Sequence, residues 1–415
     1  MASFRFAHMS DVHLDSWRET ELKMLNLESF QTAIRLCIEQ KIEFLLISGD
    51  LFHTAAPDYD IVAKATTELK RLKDSGIRAY VIPGSHDFSY SQKTILNVLE
   101  NAGLFVNVER FKKENELLVP EFTKDQKTNA KIFGIGGRKG QLESVNFEAL
   151  DRSVLEKENG LKIFMFHSGI DEYKPKHLEK MECISLNLFP KGFSYYAGGH
   201  IHHPFDADET SKGYGKIIMP GALYPVNFDE LQKNETGNFL INEAILDQQT
   251  GNWGVKTNRI RIAPKNVVYF EIRADDFSAR MVEDKLKEQL ENSDLKDKIV
   301  LLKVHGTLKS GKPADINWQG IEFIARDKGA YVVKRNIHRL VSKEFEEIKI
   351  EETVDLKELE KKLIEQHIKS TKIENLDLKL LAEKLMDSIE FEKDDSETAT
   401  TFETRIMREG MKLIE

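Results

Sequence analysis

Five short apolar runs in the first half of the chain each stop at, or lead straight into, a histidine or an aspartate, and this habit restricts the fold more than any other feature. FRFAHMS at 4–10 leads into Asp11 and His13, and FLLISGD at 44–50 ends on Asp50 with His53 close behind. RAYVIPG at 78–84 runs into Ser85, His86 and Asp87. LKIFMFH at 161–167 ends on His167, and FSYYAGGH at 193–200 ends on His200 with His202 beyond it. Runs this short and apolar read as strands buried on both faces. Between them lie helical patterns: Leu27–Glu39 puts Leu27, Phe30, Ile34 and Ile38 on one face, Asp58–Lys73 follows Pro57, and Gln92–Asn101 follows the third strand. KIFGIGG at 131–137 and KIIMPG at 216–221 add two more strands. Strands alternating with amphipathic helices predict a layered α/β domain over residues 1–262.

The chemistry is concentrated where the strands end. Nine of the twelve histidines fall within the first 203 residues, and six of those nine follow a strand. In open α/β sheets the loops at the carboxyl ends of strands converge on one crevice, so these distant residues can meet. Aspartates mixed with neutral imidazoles suit two divalent ions about 3.5–4 Å apart, with Asp50 the natural bridge. Such donors favour manganese, iron or zinc over magnesium or calcium, which prefer all-oxygen shells. In Asp-x-His and His-x-His, alternate residues of an extended segment point the same way, so each pair can grip one centre or two adjacent ones. His8, inside the first strand, and His203, which alternation turns away, read as structural.

Taken in order, Asp-x-His, Gly-Asp, a Gly-x-His-Asp turn, a lone histidine and Gly-His-x-His form the motif series of the calcineurin-like metallophosphoesterases, which the chain resembles over residues 6–203. GDLFH at 49–53 resembles the SbcD-type nucleases, the bacterial and archaeal relatives of the meiotic-recombination-eleven nuclease, and MPGALYPVNFDE at 219–230 resembles the loop closing their nuclease domain. The resemblance implies a four-layer α/β/β/α sandwich and hydrolysis of DNA phosphodiesters by water, with no covalent enzyme intermediate. It assigns Asp11, His13, Asp50 and His202 to a first metal, and Asp50, Ser85, His167 and His200 to a second, both expected to be manganese. His86 would act on the transition state or the leaving oxygen, oriented by Asp87, and His53 would contact a phosphate of the substrate strand. Where the family pattern usually has asparagine, this chain has Ser85, whose shorter hydroxyl predicts a weaker second site.

Beyond Pro264 the pattern changes. VVYFEIRA (267–274), a helix at Ala279–Leu290, KIVLLKVHGTL (298–308), a helix at 320–329 and AYVVKRN (330–336) form a small β-α-β-α-β unit within residues 263–343, matching the family's capping domain in order and size. Residues 344–415 are helical in pattern, with stripes at Leu356, Leu359, Leu363 and Ile364 and at Leu378, Leu381, Leu385 and Ile389. This tail holds 12 Lys and Arg against 21 Asp and Glu, which leaves 48 against 48 for the rest. An acidic, apolar-striped tail points to a protein partner. The resemblance names it as an SbcC-type coiled-coil ABC ATPase, with this chain a homodimer in a heterotetramer on DNA. The tail stripes could equally be local packing, and the basic cluster Lys334, Arg335, His338 and Arg339 a phosphate grip or a solvated face. Cys37 and Cys183 show no disulfide or metal spacing and read as buried thiols. No apolar stretch is long enough to span a membrane and no leader precedes the first strand, so a cytoplasmic, nucleoid-associated location is expected. Two other functions fit the same motifs: a phosphodiesterase of small molecules or nucleotides, and a catalytically weak scaffold that bridges DNA.

Overall fold

The computed structural model describes residues 3–89, 94–174, 181–233 and 236–343, together with Arg405, Met407 and Arg408. The chain divides into two compact units, Met1–Leu340 and Val341–Glu415. The stripes at Leu356 and Leu378 lie outside the described residues.

The first unit opens with β1 (Ser3–Met9), α1 (Thr20–Glu39), β2 (Phe44–Ser48), α2 (Tyr59–Asp74), β3 (Arg78–Ile82), α3 (Ile95–Asn101) and β4 (Val106–Asn107). A hairpin of β5 (Phe111–Glu114) and β6 (Leu117–Pro120) leads to β7 (Thr123–Lys124), β8 (Lys131–Ile135), α4 (Ser144–Ala149) and α5 (Arg152–Glu156). Then come β9 (Lys162–His167), β10 (Tyr195–Gly199), β11 (Phe205–Asp208), β12 (Lys216–Met219), α6 (Phe228–Gln232), β13 (Gly237–Leu246) and β14 (Trp253–Ile262). They build two six-stranded sheets, ordered β14-β13-β1-β2-β3-β4 and β11-β12-β10-β9-β8-β7. Parallel strands occupy the middle of each sheet; antiparallel strands close both edges of the second and the β13–β14 edge of the first, whose other edge is the parallel β4.

Side-chain alternation explains why these runs are apolar on both faces. Phe4 and Phe6 of β1, Phe44 and Leu46 of β2, and Ile163 and Met165 of β9 meet in a core between the sheets. Their neighbours point outward: Ala7, Met9, Leu45 and Ile47 pack with Leu27, Phe30 and Leu69 of α1 and α2, and Phe164 and Phe166 pack with Phe147 and Leu155 of α4 and α5. Phe6 stacks on Phe44 at 5.1 Å, and Tyr195 of the opposite sheet meets Phe6 edge-on at 5.3 Å, both favourable aromatic geometries. The result is the expected α/β/β/α sandwich, with the carboxyl ends of β1, β2, β3, β9 and β10 facing one crevice.

The short β4–β7, α4, α5 and β11 add to the sequence reading, and two larger features depart from it. α1 begins at Thr20 instead of Leu27, because its first turns bury Leu22 and Leu25 in a different cluster from the stripe that follows. The long β13–β14 hairpin was not read as strands at all: β14 is an edge strand whose Lys256, Thr257, Asn258 and Arg259 interrupt any apolar run. Cys37 is buried as expected, whereas Cys183 is only partly so.

The segment after Pro264 folds as β15 (Val267–Arg273), α7 (Ala279–Glu291), β16 (Ile299–Leu308), α8 (Trp318–Asp327) and β17 (Val332–Asn336), with the three strands parallel. One face of this sheet packs Val300, Leu302 and Val304 against Val282, Leu286 and Ile321 of α7 and α8. The other face sets Ile299, Leu301 and Val332 against Trp17, Leu22, Leu25, Phe228 and Leu231. Lys334 is tied to Glu19 across this seam and lies over the Trp17 ring, so its charge is used within the fold.

Candidate metal centre

The backbone at the strand ends is bent into unusual shapes. Asp11, His13, Asp50 and His200 all take positive φ, at 50°, 47°, 52° and 84°. Residues with a Cβ rarely adopt this region, and its cost is borne where the surrounding structure fixes the turn. Here each turn redirects a side chain from the sheet into the crevice. Gly84 has no room for a side chain: a Cβ there would lie 2.1 Å from Asp50 Oδ1. Gly49, at φ 86°, would likewise place a Cβ 2.1 Å from His167 Nδ1.

These turns bring eight of the ten expected site residues into a shared network of polar contacts and ring contacts; Ser85 lies on the turn just before His86, and Asp87 just after it. Asp11, His13 and His202 form one compact donor group, Asp11, Asp50 and His167 a second, and His13, His53 and His86 a third. Asp50 Oδ2 lies 3.5 Å from His13 Nε2 and 3.2 Å from His167 Nε2. The His200 ring sits 5.2 Å from that of His167, and its backbone amide donates to both Asp11 oxygens at 3.0 and 3.1 Å.

Several of these ligand-type atoms face one another at close range. His167 donates its Nδ1–H to the Ser48 carbonyl at 2.8 Å, so in the neutral ring Nε2 carries a lone pair aimed at a carboxylate. That Nε2 is buried and makes no hydrogen bond. His202 donates Nδ1–H to Glu230 Oε1 at 2.9 Å, and its Nε2 faces His13 Nε2 at 3.1 Å. Two buried carboxylates ringed by imidazole nitrogens need positive charge among them, which protons supply in the metal-free site and a divalent ion would supply when bound. The residues therefore fit divalent metal. Titration tells the same story in terms of protons: burial opposes charge on His167, but Asp50 outweighs it and pushes the imidazole up to about 10. Burial likewise raises Asp50, yet His167 and His13 hold it well below the usual carboxylate range. Burial keeps His13 far below its ordinary value and His200 down at about 4, so both are neutral and able to ligate near neutral pH.

One expected role changes. Asp87 does not orient the His86 ring. Its buried carboxylate accepts the backbone amides of Leu51, Phe52 and Gly84 at 3.1, 3.1 and 3.0 Å, which ties the loop after β2 to the loop after β3. Burial and the Asp50 charge push it up to about 7. The His86 ring is instead held by its own Nδ1–H, which donates to the His53 carbonyl at 2.7 Å. His53 stacks on His86 with centroids 4.8 Å apart. Glu230, the partner of His202, was not singled out from the sequence, although it closes the NFDE segment of the closing loop.

Residues 4–204 match the calcineurin-like phosphoesterase family. The chain is similar to the DNA double-strand break repair protein Mre11 of Archaeoglobus fulgidus, with 25% identity over 386 residues that cover 87% of this chain and 80% of that protein. Its likeness to Mre11 of Sulfolobus acidocaldarius is 27% over 322 residues, covering 72% and 75%. Mre11 of Methanococcus maripaludis is 32% identical over 209 residues, covering 48% and 51%. The family match spans the very strands whose ends meet around Asp50, and the donors there fit divalent metal: residues 4–204 are a calcineurin-like metallophosphoesterase domain, and the chain is a metal-dependent phosphoesterase.

Proposed function

We propose that the chain is a two-metal DNA nuclease working in double-strand-break repair beside an SbcC-type coiled-coil ABC ATPase. The observation that carries this reading is Asp50 Oδ2, one carboxylate oxygen within 3.5 Å of His13 Nε2 and 3.2 Å of His167 Nε2. Asp11, His13, Asp50 and His202 would hold one ion and Asp50, Ser85, His167 and His200 the other, with manganese the ion best suited to this donor mix. Two ions so held would supply Lewis acidity to the phosphoryl group and would make water a better nucleophile. His86, fixed through Nδ1, has Nε2 left to exchange a proton with the leaving oxygen. His53 is half-buried beside it, and in this reading it would meet a phosphate of the bound strand.

DNA as the substrate is supported by the relatives named for double-strand break repair. In this reading residues 1–262 are the nuclease, 263–343 the cap, and 344–415 the tail that docks on the ATPase, in a heterotetramer built on a dimer of this chain.

The test is hydrolysis by the purified chain with manganese, on short single- and double-stranded DNA and, separately, on a cyclic nucleotide and a generic phosphodiester. Each reaction is run with and without the ATPase and ATP. Cleavage of DNA that needs manganese, disappears in Asp50→Ala and rises on duplex ends with the ATPase is expected. Turnover of small phosphodiesters without DNA cleavage would overturn the nuclease reading, and no turnover at all would leave a scaffold.

A further inference from the structure

The geometry around α6 points to Glu230 as a positioning residue of the metal centre, which holds His202 by its Nδ1–H so that Nε2 stays turned to the first ion. This rests on the reading of His202 as a ligand. His202 lies at the mouth of the crevice on the loop after β10, its side chain 24% exposed, whereas His13 and His167 are sealed in by the sheets. A ring at that edge needs a partner to define its angle and tautomer. Glu230 Oε1 is that partner at 2.9 Å.

The carboxylate is itself fixed from several directions. Asn227 Nδ2 donates to Oε1 at 2.6 Å and the Val226 amide to Oε2 at 2.9 Å. The Glu230 amide donates in turn to Asn227 Oδ1 at 2.9 Å, capping the start of α6. Phe228 and Leu231 of the same helix are buried in the cluster shared with Ile299, Leu301 and Val332. Trp17 donates its indole N–H to the Pro225 carbonyl at 2.9 Å, which holds the segment leading into the helix. A buried carboxylate this firmly held, with one oxygen on an imidazole N–H, raises the basicity of the opposite nitrogen and fixes its direction. Removing such a partner from a metal-bound histidine usually lowers metal affinity by about 10–100-fold.

A purely local role is the competing account: Glu230 would only satisfy Val226 and Asn227 in its own turn. Cobalt(II) titration of the full chain separates the two, followed by visible absorption for ligand geometry and by equilibrium dialysis for stoichiometry. His202→Ala should lose one of two ions. Glu230→Ala should still take two at saturation, with one bound about 10–100-fold more weakly and an altered absorption band. Glu230→Gln, whose amide oxygen can still accept Nδ1–H, should fall between Glu230→Ala and the unaltered chain. If Glu230→Ala binds cobalt as the unaltered chain does while His202→Ala loses an ion, the proposal is overturned and the ligand reading stands. If His202→Ala keeps both ions at full affinity, reading and proposal fall together. Should Glu230→Ala fail to fold, Glu230→Gln decides alone: an unchanged spectrum and affinity overturn the proposal.

Discussion

The backbone amide of His86 donates to Asp50 Oδ1 across 2.8 Å, so the carboxylate proposed to bridge two ions also fixes the turn that carries the proton-handling imidazole. Asp50→Ala should therefore remove more than a ligand. Both ions are expected to be lost with all hydrolysis, and manganese should no longer raise the melting temperature, since a ligand stabilises a fold only by binding it. Metal analysis and thermal melts with and without manganese check this. Two ions per chain in the variant would remove Asp50 from the bridge.

His86→Ala keeps that same amide, because the bond to Asp50 comes from the backbone. The variant should bind metal as the unaltered chain does while turnover falls by roughly 10²–10⁴-fold, the usual scale for losing a proton-transfer group. Dialysis against manganese alongside steady-state kinetics gives both numbers. Loss of metal would make His86 a ligand.

Ser85 stands on the turn between Gly84, pressed against Asp50, and His86, bound to it. A serine hydroxyl is shorter than an asparagine amide, so Ser85→Asn should reach the second ion better and lower the manganese concentration that supports half-maximal activity. A manganese titration that shifts upward would mean that serine suits this pocket.

The sandwich was legible because its strands are buried on both faces and stand out as apolar runs. The crevice was legible because each run ends in a metal-type residue. What escaped depended on partners distant in the chain. Leu22 and Leu25 break the stripe of α1 since they pack with Ile299, Leu301 and Val332 of the smaller sheet. Asp87 looked like a partner for its neighbour His86, yet three amides closer to its carboxylate take it. Glu230 is 28 residues from His202, and no spacing rule links them.

His8 offers a test of the fold apart from catalysis. It lies between the sheets: Ser48 Oγ donates to the Ala197 carbonyl, so it accepts from His8 Nε2–H, and Tyr195 donates to His8 Nδ1. Burial, with Arg259 adding to it, lowers His8 to about 3. The ring is thus neutral in the fold at a pH where an unfolded histidine, near 6.5, is protonated. Its contribution to stability is complete above about pH 6.5 and declines as pH falls towards 3, by up to about 1.4 kcal/mol per pH unit. His8→Asn should flatten urea-unfolding stability between pH 6.5 and 5 relative to the unaltered chain. Equal slopes would mean that His8 is already charged in the fold.

The last prediction concerns how the smaller β15–β17 sheet reaches the metal site. Leu231 is buried in the cluster that joins α6 to Ile299, Leu301 and Val332, and Glu230 precedes it on the same short helix. Leu231→Ala should cost about 2–5 kcal/mol of stability, as buried leucine truncations do. It should also weaken one metal ion, because a helix that loses its seat lets the carboxylate drift from His202. If that weakening travels through Glu230, it should vanish when Glu230 is already alanine. A double-mutant cycle on manganese affinity reads this directly, since residues coupled in one network give non-additive losses. Additive losses would mean that the smaller sheet acts on the site by another route, with Trp17, which shares the cluster and follows His13 in the chain, the next residue to test.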